Sequence, residues 1–185
     1  MVNSKEDLRI RQTTVLAVKH NGVVAIGADG QASMGSTIVK STVKKIRRLS
    51  NGKILIGFAG STADAMALLE RFEEKLSMHA DNMYQAALSL SKEWRMDRYL
   101  RRLEALMLVA NKDHILTLSG TGDVMKPDED YAAIGSGGNF ALAAAACLKK
   151  YASHLTAEEM VKEALLVASK MCVYTNDQLT IETFP

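Results

Sequence analysis

The chain has little cysteine: Cys147 and Cys172 are its only two, in 185 residues, and they form no CxxC pattern or metal-ligand spacing. A disulfide framework is therefore not expected, and a reducing cytoplasm fits best. Long apolar runs are also missing. No stretch approaches the roughly 18 residues of a membrane helix. Net charge is small, formally +2, too little to argue for nucleic acid or an anionic membrane surface as partner. Residues 1–12, MVNSKEDLRIRQ, lack the apolar stretch of a secretory signal. They carry Glu6 and Asp7, unlike acid-poor transit peptides. The GxxxxGK[ST] spacing of a phosphate loop is absent, so no nucleotide site is expected in this chain. No linker, low-complexity stretch or long repeat divides the sequence.

What is present suits one domain. Hydrophobic residues make up 48% and charged residues 24%, enough for a core and a polar surface. Residues 14–18 and 23–28 read as strands joined at His20-Asn21-Gly22, since Asn-Gly supplies the positive φ angles of a tight hairpin turn. Residues 43–49 and 54–59 repeat the pattern around Asn51-Gly52, and the unbroken Ile54-Leu55-Ile56 predicts burial on both faces. Ser61 or Thr62 caps a helix carrying Ala65, Leu69, Phe72 and Leu76. A second helix places Met83, Ala86, Ala87, Leu90 and Trp94 on one face.

Residues 106–110 and 115–119 form another hairpin, and 131–134 a short strand before Gly135-Ser136-Gly137-Gly138. Helices follow at about 139–151 and from the Thr156/Glu159 capping box to near Tyr174, then a strand at 178–183. Antiparallel hairpins with helices in pairs predict an α+β fold, a four-layer αββα sandwich of two sheets flanked by helix pairs.

The residues that could carry chemistry each have an ordinary reading. Thr13 and Thr14 are good strand formers. Asp29-Gly30 is a common turn, Lys45 sits in a basic run, and glycines often precede helices. Their joint order carries more. The segments are Thr13-Thr14-Val15, Asp29-Gly30-Gln31, Val43-Lys44-Lys45-Ile46-Arg47-Arg48-Leu49, and Gly57-Phe58-Ala59-Gly60 with Ala63-Asp64-Ala65. Trp94-Arg95, Asp97-Arg98, Leu103-Glu104-Ala105, Ala133-Ile134-Gly135-Ser136-Gly137-Gly138 and Cys172-Val173-Tyr174-Thr175-Asn176 follow. From Thr13 onward the chain resembles the HslV family of peptidase subunits, relatives of the proteasome β subunits among the N-terminal nucleophile hydrolases.

The resemblance implies that Thr13 is a nucleophile acting as the first residue of a mature chain, with residues 1–12 a propeptide. The chemistry needs this, because a threonine hydroxyl requires a base, and a free α-amine of pKa about 7.7–8.0 can serve where a mid-chain amide cannot. By the same resemblance Lys45 is the essential lysine, Asp29 its acidic partner, Ser136 a hydrogen-bonding group near the amine, and Gly57 the oxyanion donor. Ser169, Cys172 and Thr175 match positions whose carbonyls hold a sodium ion, although the family commonly has glycine where Ser169 stands. The double threonine leaves a one-residue ambiguity, with Thr14 the nucleophile if cleavage falls after Thr13. The resemblance further implies a homo-oligomer of two stacked hexameric rings, a hexameric AAA+ unfoldase partner, HslU, and unfolded proteins as substrates. Two other readings remain open on the sequence: an N-terminal nucleophile amidase for small molecules, and a non-catalytic ring subunit.

Overall fold

Alternation along the central strands sends their side chains into different cores, and this builds the layers. The computed structural model describes residues 10–11, 13–97, 105–119 and 122–184. The segments before Ile10 and around Arg98, Leu103 and Glu104 therefore lie outside the described residues.

In chain order the strands are β1 (Ile10–Arg11), β2 (Thr14–His20), β3 (Val23–Ala28), β4 (Ala32–Met34), β5 (Thr37–Lys40), β6 (Ile46–Leu49) and β7 (Ile54–Gly60). Helices α1 (Thr62–Met78) and α2 (Met83–Met96) follow. Next come β8 (Ala105–Ala110), β9 (Ile115–Leu118), β10 (Val124–Met125) and β11 (Tyr131–Gly135). Helices α3 (Gly138–Tyr151) and α4 (Ala157–Met171), then β12 (Thr180–Phe184), complete the fold.

One sheet has the order β11-β2-β3-β12 and the other β10-β9-β8-β7-β6, with all pairings antiparallel. On β2, Val15 and Ala17 face the space between the sheets, while Leu16 and Val18 face α3 and α4. On β7, Leu55 and Ala59 join the same inter-sheet core, whereas Ile54, Ile56 and Phe58 pack with α1 and α2. Three cores thus separate four layers, helix pair, sheet, sheet, helix pair, as the hairpin pattern predicts. Period-two alternation with both faces apolar is what a doubly covered strand requires.

Local signals hold at several boundaries. Asn21 and Gly22 take φ of 50° and 80°, as a tight hairpin turn demands. Thr156 and Glu159 form a reciprocal capping box on α4. Glu159's carboxyl is held below its usual range by hydrogen bonds from the Thr156 backbone and hydroxyl.

Three expectations need correction. The third expected strand, 43–49, begins only at Ile46, so Lys45 lies just before β6 rather than inside it. Its approach is redirected because Val43 N–H donates to Gly30 O at 2.9 Å, drawing residues 43–45 toward the end of β3. Helix α4 ends at Met171, three residues early, with Cys172 N–H closing the last turn onto Ala168 O at 2.8 Å. A small third sheet, β1-β4-β5, adds to the two expected; its strands β4 and β5 are short and β5 is exposed along its whole length, so no apolar pattern marks them.

Candidate active site

Asp29 closes β3 and is almost fully buried. A buried carboxylate must be saturated with donors. Its Oδ1 accepts from Thr14 N–H at 2.8 Å and from the Lys45 ammonium at 3.0 Å. Its Oδ2 accepts from Gln31 N–H at 2.9 Å and Asn176 N–H at 3.4 Å. Lys45 is itself buried. Burial pushes its ammonium below the usual lysine range, and the charge and hydrogen bond of Asp29 pull it partly back.

Thr13 stands next to this pair in sequence through Thr14, whose N–H donates to Asp29, and shares a cavity with Lys45. A concavity of about 120 Å³ is lined by Thr13, Lys45, Ala32, Phe58, Gly60 and Met66, among others. The Thr13 carbonyl accepts from Ser136 N–H at 2.9 Å. That approach depends on Gly135, at φ +91°, where a Cβ would lie 1.8 Å from the Thr13 oxygen. Ser136 is thus brought beside Thr13 by its backbone, and its side chain is exposed.

Thr14 is placed differently. It is fully buried, and its hydroxyl accepts from Gly137 N–H at 3.0 Å and bonds to the Thr175 hydroxyl at 2.7 Å. Its oxygen is therefore committed to holding β2 against the β11–α3 turn and the chain after α4. Of the two threonines, Thr13 is the one on the cavity.

Gly57 is not on the cavity. It lies inside β7, opposite Ile46 on one side and Leu108 on the other. A Cβ there would come within 2.5 Å of Val15 Cγ1, so close packing between the sheets explains this glycine. Backbone N–H groups alternate between the edges of a strand. Phe58 N–H donates to Lys45 O at 3.3 Å, on the β6 edge. Gly57 N–H therefore faces β8, and Gly60 N–H returns to the β6 edge beyond the start of β6. Gly60 lines the cavity and adopts φ +110°. Gly57 and Gly60 share one segment of the sequence, and of the two it is Gly60 that lines the cavity. Gly57→Ala is expected to cost about 1–3 kcal/mol by overpacking against Val15. A lowered urea midpoint checks this.

Ser169, Cys172 and Thr175 lie at and just beyond the C-terminus of α4. Thr175 N–H donates to Cys172 O at 3.0 Å, folding the turn back, and Ser169 donates its hydroxyl to Leu166 O at 2.8 Å. Ser169 is within the helix and is not among the residues of positive φ, so a serine meets no glycine-only requirement there. The last carbonyls of a helix lack intrahelical partners and carry its negative end. Hard oxygen donors of this kind suit a sodium ion. Among the described residues, no group of three or more His, Cys, Asp or Glu could hold a metal.

A larger concavity of about 650 Å³ lies between α4 and β12, lined by Glu158, Lys162, Leu166 and Asp177 among others. It contains neither Thr13 nor Lys45, both of which line the smaller one. Among the described residues, no helix is long and apolar enough to cross a membrane.

The chain and its fold have known relatives. The proteasome subunit family model matches residues 11–184. The ATP-dependent protease subunit HslV of Cytophaga hutchinsonii is 60% identical over 175 residues, 95% of this chain and 97% of that protein. The Staphylococcus aureus protein of the same name is 53% identical, over 94% of this chain and 97% of its own length. The crystal structure of eukaryotic HslV from Trypanosoma brucei superposes with a TM-score of 0.87 at 39% identity, covering 92% of this chain and 98% of that one. The chain belongs to the proteasome subunit family, and within it to the HslV group of protease subunits.

Proposed function

We propose that the protein is the peptide-hydrolysing component of a two-component, ATP-dependent protease, with Thr13 as its N-terminal nucleophile. The observation that carries this reading is the shared cavity of Thr13 and Lys45, with Lys45 held by the buried carboxylate of Asp29.

In the mature enzyme, residues 1–12 are removed and the Thr13 amine becomes free. That amine takes the proton of the Thr13 hydroxyl as its oxygen attacks the substrate carbonyl. The Lys45 ammonium favours the developing alkoxide and lowers the proton affinity of the amine. Asp29 keeps Lys45 charged and oriented. The amine then passes its proton to the leaving nitrogen, and water hydrolyses the ester to regenerate the hydroxyl. Ser136, beside the Thr13 backbone, assists at the amine. Gly60 N–H, rather than that of Gly57, is the candidate oxyanion donor, because its edge of β7 faces the cavity. A sodium ion, if bound, would be held by the carbonyls of Ser169, Cys172 and Thr175. It would supply a fixed positive charge that braces the turn leading to Thr175.

Residues 10–11, ahead of Thr13, cover a strand edge beside the site. Ile10 and Arg11 pair antiparallel with Met34 and Ser33 of β4, next to the cavity wall at Ala32. Once this strand leaves, the edge of β4 is open to an extended substrate backbone, which adds to a sheet by main-chain hydrogen bonds.

As a member of the HslV group, the chain is read as forming two stacked hexameric rings in the cytoplasm. A hexameric AAA+ unfoldase, HslU, delivers unfolded proteins and consumes the ATP. The test is assembled mass together with hydrolysis. The expected result is a ring-sized particle that cleaves a fluorogenic peptide amide and degrades unfolded protein only with the unfoldase and ATP. A monomer that hydrolyses only small amides would overturn it.

A further inference from the structure

The side chain of Asn176 joins three chain segments that converge on the Asp29–Lys45 pair. Its Oδ1 accepts from Gly30 N–H at 3.0 Å and Gln178 N–H at 3.2 Å. Its Nδ2 donates to Ser41 O at 2.9 Å. Its own backbone N–H donates to Asp29 Oδ2 at 3.4 Å. Gly30 is the residue after Asp29, and Ser41 opens the stretch that leads to Lys45.

These segments meet too closely to be held by packing of side chains alone. A Cβ on Gly30 would lie 2.5 Å from Ser41 O and 3.0 Å from Gln178 O. Backbone therefore meets backbone, and a fixed polar bridge must set the spacing. Residues 41–45 have no ladder of their own, since β5 ends at Lys40 and β6 starts at Ile46. Two contacts hold the front of this stretch to the end of β3: Val43 N–H on Gly30 O at 2.9 Å, and the Asn176 amide bridging Gly30 and Ser41. The neighbouring residue, Thr175, reaches Thr14 through its hydroxyl. One turn after α4 therefore touches both the strand that follows Thr13 and the stretch that carries Lys45.

We infer that Asn176 is a positioning residue, which sets the distance of Lys45 from Thr13 by clamping the 41–45 stretch to the Asp29 turn. This rests on the proposed roles of Thr13 and Lys45. Both amide arms are needed. An alanine removes both, while an aspartate keeps the acceptor for Gly30 and Gln178 and removes the donor to Ser41.

The test is steady-state hydrolysis of a fluorogenic peptide by assembled particles of Asn176→Ala and Asn176→Asp. Active sites are counted by titration with a peptidyl boronate, which adds to nucleophilic hydroxyls. A displaced lysine weakens the transition state more than substrate binding, and misplacement of about 1 Å can cost up to about a hundredfold. The expected result is a kcat per titrated site about ten- to a hundredfold lower in both variants, with KM within about twofold of wild type. If turnover per titrated site is unchanged while the number of sites falls, Asn176 is only structural and the inference is overturned. Should Asn176→Ala not assemble, Asn176→Asp decides alone by the same criterion. Lys45→Ala is assayed in parallel. If it keeps its turnover, the proposed role of Lys45 has failed. If it loses turnover while the Asn176 variants keep theirs, only the clamp has failed.

Discussion

Thr13→Ala is expected to lose peptide hydrolysis by at least about a thousandfold and to keep residues 1–12 attached, whereas Thr13→Ser keeps both processing and measurable turnover. Removing a nucleophile outright commonly costs that much or more, because the remaining groups have nothing to activate. The two readouts are linked by one oxygen. If the Gln12–Thr13 bond is broken by the Thr13 hydroxyl itself, a side chain without oxygen blocks maturation, and one with a primary hydroxyl permits it. Intact mass of the assembled protein reads the first effect and fluorogenic peptide hydrolysis the second.

Thr14→Ala separates the two threonines. It loses the bonds to Gly137 N–H and the Thr175 hydroxyl, a structural loss of about 1–3 kcal/mol for buried partners left unpaired. It leaves Thr13, which lines the cavity, unchanged, so processing is expected to persist. Retention of residues 1–12 by wild-type particles would mean a silent ring subunit or a missing maturation factor, and the role given to Thr13 would then have to be abandoned or tested with that factor.

Asp29→Ala carries the second large effect, this time on stability. It leaves the buried Lys45 ammonium without its 3.0 Å partner and the N–H groups of Thr14 and Gln31 without acceptors. Breaking a buried pair from one side typically costs about 3–5 kcal/mol. Lys45→Met is expected to cost less, because Asp29 keeps the donors on Thr14, Gln31 and Asn176. The ordering is checked by urea unfolding of the two variants beside wild type.

The pH dependence has a definite sign. In the wild type, burial holds Lys45 below its ordinary value of 10.5. Between that lowered value and 10.5 the unfolded chain holds more protons than the fold, so the cost of burying Lys45 fades as pH rises through this window. Without Asp29, the two influences that raise the lysine are gone, and its value falls further. The stability deficit of Asp29→Ala is therefore expected to narrow from pH 7 toward pH 10. A deficit that widened over that range would show that Lys45 is not the group left unpaired.

Much of this molecule is written in local pattern. Side-chain alternation in residues 14–18 and 54–59 assigned each apolar group to one of two faces, and the three cores follow from it. Asn21-Gly22 and the Thr156/Glu159 pair announced a turn and a helix start through groups only a few residues apart. Family-specific segments placed Thr13, Asp29, Lys45 and Ser136 in one site, although their spacing alone has an ordinary reading.

What the tertiary structure decided depends on contacts between distant segments. Gly57 and Gly60 are equivalent as sequence, and only the register of β7 between β6 and β8 tells which N–H faces the cavity. Lys45 leaves the strand pattern because Gly30 and Asn176 pull its approach toward Asp29, a bond with no local signature. The commitment of the Thr14 hydroxyl to Thr175, 161 residues away, likewise leaves no periodic trace. Short-range periodicity records which side of an element avoids water. Which backbone edge, which amide and which of two adjacent hydroxyls meet at one point is fixed only when the layers pack.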